Sequence, residues 1–315
     1  MNQKTAFVTV DYQSRGNTLK LLDSINKVEG EFEVILVDNS NSSNEWGQYK
    51  FPLRVFNQEI NKGWTGGINV ALKYLLENNF DYMFVINNDS IVKQDILKQM
   101  LELVSKGANQ IGVKIYDIPS GHFTSGYKRA WHTWITGQFV ENKKAHNSRE
   151  PIELGMNEFV DDCACFYDLN IFREIGKYDE NLFLYWEDAD IGMRIKSKQK
   201  FRIFYHPNAI VYHEGHGSSG KGGKSPIVLF YIARNRIIFM WKHFNISFPL
   251  FFPIFLLLLL PIQIIVNMLK TGNFSLIKYF YLGIYSGLHY PLSNKNLFLR
   301  KNEANDYYLS MEKKT

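Results

Sequence analysis

Cysteine is scarce in this chain: two of 315 residues, Cys163 and Cys165, with one residue between them. That spacing argues against a disulfide joining the two, and a pair with no second ligand pair does not make a zinc site. No apolar leader precedes the first strand-like segment, because Met1-Asn2-Gln3-Lys4-Thr5 runs straight into it. The absence of a signal-peptide core and the unpaired thiols together predict a cytoplasmic protein. A nucleic-acid footprint is missing too. The first 232 residues hold 26 Lys/Arg against 28 Asp/Glu, so no nucleic-acid partner is expected. No internal repeat of useful length is visible. Between Lys242 and Lys270 there is no Lys, Arg, Asp or Glu at all.

What is present is ordinary globular composition, 45% hydrophobic and 21% charged, with aromatics at 15%. The aromatic surplus suits a sugar-handling cleft or a membrane interface, although core packing accounts for most of it. Positive charge is concentrated at the end. Residues 233–315 hold ten Lys/Arg against three Asp/Glu. A basic, apolar tail of this kind points to an anionic membrane surface.

Hydrophobic periodicity gives an alternating order. Ala6 to Val10, Val34 to Val37 and Tyr82 to Ile86 read as buried strands, and Leu53 to Phe56 as a short one. Asn17 to Val28, a segment opened by Gly66-Gly67, and Ile96 to Val104 carry helical stripes. This alternation predicts an α/β fold with a mostly parallel sheet flanked by helices. In such sheets ligands bind beyond the carboxyl ends of the strands. Asp11-Tyr12, Asp38-Asn39-Ser40 and Asn87-Asn88-Asp89 stand there. Residues 117–150 read as loops and irregular ribbon. Phe159 to Tyr167 reads as one strand, Glu187 to Lys198 as a helix, and Phe201 to Tyr205 and Ile210 to Tyr212 as two short strands. Gly215 to Lys224 is a Gly/Ser-rich hinge.

The segment from Lys242 to Lys270 is long enough to span a bilayer, but Pro249, Pro253 and Pro261 disfavour a straight helix. A second apolar stretch, Phe274 to Leu288, follows. A re-entrant or interfacial pair over 242–290 fits this pattern, with a buried core helix pair as the alternative.

Three constellations suit chemistry on a nucleoside diphosphate sugar. Asp89, on a turn after a strand, is an oxygen ligand for a hard cation that offsets diphosphate charge; otherwise it caps the next helix. Trp186-Glu187-Asp188-Ala189-Asp190 places adjacent carboxylates at a helix start, with Asp188 the candidate base for an acceptor hydroxyl. An acidic first turn is the plainer explanation. His213, in Tyr212-His213-Glu214-Gly215-His216, is a candidate second metal ligand.

Taken together, these segments resemble glycosyltransferase family 2, with the GT-A fold, and its rhamnosyltransferase-like branch. The resembling runs are Val8-Thr9-Val10-Asp11-Tyr12, Val37-Asp38-Asn39-Ser40, Asn61-Lys62-Gly63-Trp64-Thr65-Gly66-Gly67-Ile68-Asn69, Asn87-Asn88-Asp89, Glu187-Asp188-Ala189-Asp190 and His213, in family order over about residues 5–220. The resemblance implies an inverting transfer from a dTDP- or UDP-sugar, dTDP-rhamnose first among them, to a saccharide or polyprenyl-diphosphate-linked saccharide of a cell-surface polysaccharide. It implies Mn²⁺ or Mg²⁺ held by Asp89 and His213, and Asp188 as base. Val10, Asp11, Tyr12, Asp38, Asn61, Gly63, Trp64, Gly67, Asn87 and Asn88 would line the nucleotide sugar, and Trp186, Glu187 and Asp162 the acceptor side. Asn87 departs from the motif's first acidic residue, and Asp11 is an unusual residue before Tyr12. The expected organisation is a catalytic domain over 1–232, split near 116 into donor and acceptor halves. A helical, membrane-associating region follows over 233–315, on the cytoplasmic face. A sugar nucleotidyltransferase and a non-catalytic sugar-nucleotide-binding membrane protein are the alternatives; the single Gly in Asp11-Tyr12-Gln13-Ser14-Arg15-Gly16 disfavours the first.

Overall fold

The computed structural model describes residues 3–41, 45–118, 121–125, 127–130, 139–141, 147–155, 158–214, 225–244, 262, 277–293, 295–301 and 306–314. From the N-terminal end the elements are β1 (Thr5–Asp11), α1 (Arg15–Ile25), β2 (Glu33–Asp38), β3 (Leu53–Asn57), α2 (Gly63–Glu77), β4 (Tyr82–Ile86), β5 (Ser90–Val92), α3 (Ile96–Val104), β6 (Gln110–Asp117), β7 (Phe123–Ser125), β8 (Tyr127–Ala130), β9 (Phe139–Glu141), β10 (Ile152–Glu153), β11 (Glu158–Val160), β12 (Ala164–Asp168), α4 (Asn170–Ile175), α5 (Glu187–Ser197) and β13 (Ile203–His213). After them come α6 (Pro226–His243), α7 (Ile277–Leu292), β14 (Lys295–Lys301) and β15 (Tyr307–Lys313). The chain forms two compact units. One comprises Met1–Arg129, Glu141–Phe183 and Glu187–Ser218, the other Ala130–Val140, Leu184–Trp186 and Ser219–Thr315.

The first unit is built on a sheet of order β10-β13-β6-β12-β4-β1-β2-β3. β1 runs parallel to β2 and β4, β2 to β3, and β6 to β13, while β12 is antiparallel to both its neighbours. The expected mostly parallel α/β sheet is therefore present. Each central strand feeds two cores because successive side chains point to opposite faces. Phe7, Val34, Leu36 and Phe84 pack with Leu21, Leu22 and Ile25 of α1 and with Leu97 and Met100 of α3. Ala6, Val8, Ile35, Val37 and Val85 pack with Ile68, Leu72 and Leu75 of α2 and with Ile191 and Ile195 of α5.

Several local expectations are corrected. The helix after Asn61 starts at Gly63, three residues before Gly66-Gly67. Phe159 to Tyr167 is two strands, β11 and β12, broken at Asp161-Asp162-Cys163. Phe201–Tyr205 and Ile210–Tyr212 belong to one strand, β13, which absorbs Pro207 in a register shift between His206 and Ile210. A bulge is one of the few places where a strand tolerates proline. The region read as loops holds β7, β8 and β9. Gly215 to Lys224, including His216, lies outside the described residues.

In the second unit α6 and α7 pack closely. A Cβ at Gly283 would collide with the Phe230 carbonyl, and one at Gly287 would sit 2.8 Å from the Arg234 carbonyl. Arg234 is fully buried. Its guanidinium donates to Ser286 Oγ, the Leu297 carbonyl and Asn296 Oδ1, at 3.0–3.1 Å, and lies 4.9 Å from the Phe298 ring centre. The C-terminal region expected to be helical thus also contains a hairpin, β14 with β15. Most of the 242–270 segment lies outside the described residues. Among those described, no helix is long and apolar enough to cross a membrane.

Candidate active site

Three carboxylates lie at or beyond the carboxyl ends of the central strands. Asp11 closes β1 and sits in register with Asp38, which closes β2. Both are fully buried. Asp11 Oδ1 accepts hydrogen bonds from Thr18 Oγ1 (2.6 Å) and Asn88 Nδ2 (3.0 Å), and its Oδ2 accepts from Ser40 Oγ (3.2 Å). Asn88 also donates to Thr18 Oγ1 at 2.9 Å. The unusual Asp11 thus ties together α1 and the turns after β2 and β4, and the Asn88 amide is spent on the same knot. Asp38 folds its own turn, accepting from the Ser40 amide at 2.7 Å.

The next group surrounds Gly63. The Gly63 amide donates to Asn61 Oδ1 (2.8 Å), and its carbonyl accepts from Asn39 Nδ2 (2.9 Å). Gly63 has φ +71°, and a Cβ there would lie 2.6 Å from Phe183 Cδ2. Backbone in that region with a neighbour so close admits only glycine. Gly67 lies against Val10, where a Cβ would come within 2.8 Å of both methyls. Its small size lets α2 pack on β1. Val10 is buried, Tyr12 and Trp64 half-buried. The Asn39 Oδ1 and Trp64 Nε1 atoms are buried without hydrogen-bond partners among the described residues.

Asp89 meets His213 at 2.9 Å, Oδ1 to Nε2. The cause is topological. β5 starts immediately after Asp89 and pairs antiparallel with the end of β13, setting Ser90 opposite His213. The Glu214 amide closes on the Asp89 carbonyl at 2.9 Å. Asn87 Nδ2 is 3.3 Å from the same imidazole nitrogen, and its backbone amide donates to the Cys163 carbonyl. Burial opposes a charged imidazole, while the Cys163 sulfur and the Asp89 carboxylate favour it, and the net direction for His213 is upward. Burial also raises the Cys163 thiol, which is therefore neutral near pH 7, so the upward direction rests on Asp89. Among the described residues no three His, Cys, Asp or Glu side chains are grouped to hold an ion. Two ligands still fit a hard cation that takes most of its coordination from phosphate oxygens and water. Its binding requires the His213 proton to leave.

The acidic cluster sits at the start of α5. Asp188 Oδ1 accepts from the Ala189 amide at 2.7 Å, and Oδ2 lies 3.0 Å from Lys128 Nζ on β8. Lys128 Nζ is also 3.0 Å from Asp161 Oδ2. Burial raises the Asp188 pKa, with Lys128 opposing and Asp161 adding to the rise. Burial, then Asp188 and Asp162, hold Glu187 well above the usual carboxyl range; its Oε2 has no partner among the described residues. Asp162 accepts from the Tyr167 hydroxyl at 2.5 Å. Burial pushes Asp162 up to about 7 against the lowering effect of nearby Tyr167 and Tyr178 hydroxyls. Interacting carboxyls titrate as a set, and shifts of this kind concentrate at functional sites. Trp186 belongs to the second unit, where its ring lies 5.2 Å from Phe239. Phe183, Tyr185 and Trp186 all have positive φ, 63°, 68° and 73°. Such strain persists only where the surroundings over-determine it. Sequence reasoning missed Thr18, Lys128 and Phe183, none of which stands in a recognisable run.

None of the curated proteins matches the chain. A solved structure of GalNAc-T7 with UDP, GalNAc and Mn²⁺ is similar at TM-score 0.54 and 15% identity, over 77% of this chain and 49% of that one. The chain thus spans about half the length of that structure. At this identity the likeness concerns the fold alone. S. aureus TarS residues 1–349 give TM-score 0.48 at 15% identity, over 97% of this chain and 99% of that one. The longer TarS structure gives 0.49 at 14%, over 98% and 60%. A model of the family described as glycosyl transferase family 2 matches residues 7–175, more than half of the chain. The chain belongs to glycosyl transferase family 2.

Proposed function

We propose that this transferase moves a sugar from a dTDP- or UDP-sugar to a saccharide hydroxyl in one inverting displacement that depends on a divalent metal. The observation that carries the reading is the Asp89–His213 pair at 2.9 Å, beyond the carboxyl ends of the sheet. The two would hold Mn²⁺ or Mg²⁺, which would offset the charge of the departing diphosphate. The Mn²⁺ and UDP in the GalNAc-T7 structure support this choice of ligands. Asp188 takes the proton from the acceptor hydroxyl as its oxygen bonds to the anomeric carbon. The bond from that carbon to the diphosphate breaks, and the nucleoside diphosphate leaves. The raised pKa of Asp188 supports its role, because a base works best when its pKa approaches the working pH. Asn39, Asn61, Gly63 and Trp64 line the nucleotide sugar, and Glu187 and Asp162 the acceptor side.

The finer proposals are a dTDP-rhamnose donor and a polyprenyl-diphosphate-linked acceptor for a cell-surface polysaccharide. Residues 1–232 would be catalytic, and 233–315 would rest on the cytoplasmic membrane face. The basic tail supports the last point, as do the exposed Tyr281, Tyr285 and Leu292 on α7. The test is a screen of nucleotide sugars with Mn²⁺ or Mg²⁺, scored by nucleoside diphosphate release. D188N should retain nucleotide binding and lose roughly 10²–10⁴-fold in turnover. D89A and H213A should weaken metal-dependent nucleotide binding, and N87A much less. If no nucleotide sugar is bound or turned over, the proposal fails; if D188N turns over normally, the base lies elsewhere.

A further inference from the structure

We propose that Lys128 is a positioning residue for the acceptor base: by bridging Asp161 and Asp188 it fixes the Asp188 carboxylate and keeps it available to receive a proton. The inference rests on the proposed role of Asp188. Its geometry is independent of that role. Lys128 Nζ lies 3.0 Å from Asp188 Oδ2 and 3.0 Å from Asp161 Oδ2, and 5.9 Å from the centre of the Phe159 ring. The three segments meet because β8 pairs antiparallel with β11, setting Lys128 opposite Phe159, two residues before Asp161.

The charges explain why such a bridge is needed. Asp161, Asp162, Glu187 and Asp188 crowd one place. Asp161 faces Asp188 from the turn after β11, and Glu187 adjoins it on α5. Asp162 lies within electrostatic reach of Asp188. Without a counter-ion, neighbouring carboxylates push the base's pKa further up, and Lys128 opposes that push. Burial works against the Lys128 charge, but Asp161 and Asp188 outweigh it and hold its pKa well above the ordinary lysine value. The ammonium is therefore permanent over the working range. Asp188 Oδ1 is fixed separately by the Ala189 amide, so Lys128 and the helix start grip opposite oxygens of one carboxylate.

The test uses the full-length protein with ¹³C-labelled aspartate carboxyls, the Asp188 signal being assigned by its loss in D188N. K128M should move the Asp188 midpoint to higher pH, since an attraction for the charged form is gone. D161N should move it to lower pH, since a repulsion is gone and Lys128 is left to Asp188 alone. K128R should restore a midpoint near that of the parent. With nucleotide release as the readout, the acidic limb of kcat should follow the same order. K128M should lose roughly tenfold at about pH 6 and recover most of it at about pH 8.5. A Lys128 that only supports the fold would lower turnover equally at all pH values and leave the midpoint in place, which would overturn the proposal. So would shifts of the same sign in K128M and D161N. If the midpoints move as stated while the acidic limb does not, the bridge stands and the assignment of Asp188 as base falls.

Discussion

Replacing Asp11 by alanine removes the acceptor for three side chains at once, and the consequence can be worked from their distances. Thr18 Oγ1 at 2.6 Å and Asn88 Nδ2 at 3.0 Å are buried bonds, whereas Ser40 Oγ at 3.2 Å is half-buried and can turn to water. A bond to a charged group contributes about 1.5–3 kcal/mol. Two buried ones, reduced for the surviving Asn88–Thr18 bond at 2.9 Å, put D11A at about 3–5 kcal/mol, a large part of a typical ~5–15 kcal/mol stability. D11N keeps an oxygen for Thr18 and Asn88 and offers its amide to Ser40, so it should cost only about 1 kcal/mol. Urea unfolding at constant m separates the two variants through their midpoints. The refuting result is a D11A protein within about 1 kcal/mol of the parent that has lost affinity for the nucleotide. Asp11 would then be a ligand contact rather than the knot that holds the Asn87–Asp89 turn.

Two further outcomes are expected. G63A should destabilise by more than about 2 kcal/mol, because it adds strain at φ +71° to a collision with the Phe183 carbonyl; a Tm unchanged from the parent would contradict this. Asp162, raised from 3.8 to about 7, binds a proton in the folded state that the unfolded chain has already lost between those values. Its contribution to stability therefore falls as pH rises through that window and stays low above it, by at most about 4 kcal/mol. D162N, which still accepts from Tyr167, should gain on the parent between pH 4.5 and pH 8 in thermal melts; a constant difference would contradict the shift.

The legible part of the fold is the part with a single competing explanation. β1, β2 and β4 are runs of five to seven residues whose interiors are uncharged, rich in β-branched or aromatic side chains and buried on both faces, and their ends fall within a residue or two of those the pattern predicts. β6 went unread because Gly112 and Lys114 interrupt it. Gly112 is there since a Cβ would lie within 2.5 Å of Val160, and a close approach between strands leaves no mark in a hydrophobic pattern. β13 read as two strands because Pro207 and Asn208 fall in its middle, where only a bulge accommodates them. The split between β11 and β12 is likewise hard to read, since Asp161 and Asp162 turn the chain through contacts with Lys128, Tyr167 and the Cys163 amide, and the first of these is far off in sequence.

The same reasoning separates the charged residues of the site. Type and position single out a carboxylate, but what a buried carboxylate can do depends on what compensates it. Asp11 is compensated by neutral donors, Thr18, Asn88 and Ser40, which tie it to α1 and to the turns after β2 and β4. Asp89 is compensated by His213, an imidazole that binds a cation only after surrendering its proton, so the pair can exchange one positive charge for another. Asp188 is compensated by Lys128, which keeps its charge at any working pH, so nothing is exchanged there and the fixed ammonium opposes the upward push of burial on the carboxyl. A carboxylate with an exchangeable partner suits the donor's cation. One with a permanent partner and a raised pKa suits a proton. On the proposed function, a donor end and an acceptor end would be told apart less by the carboxylates than by the group facing each, and Lys128 and His213 are the residues whose exchange would blur that difference.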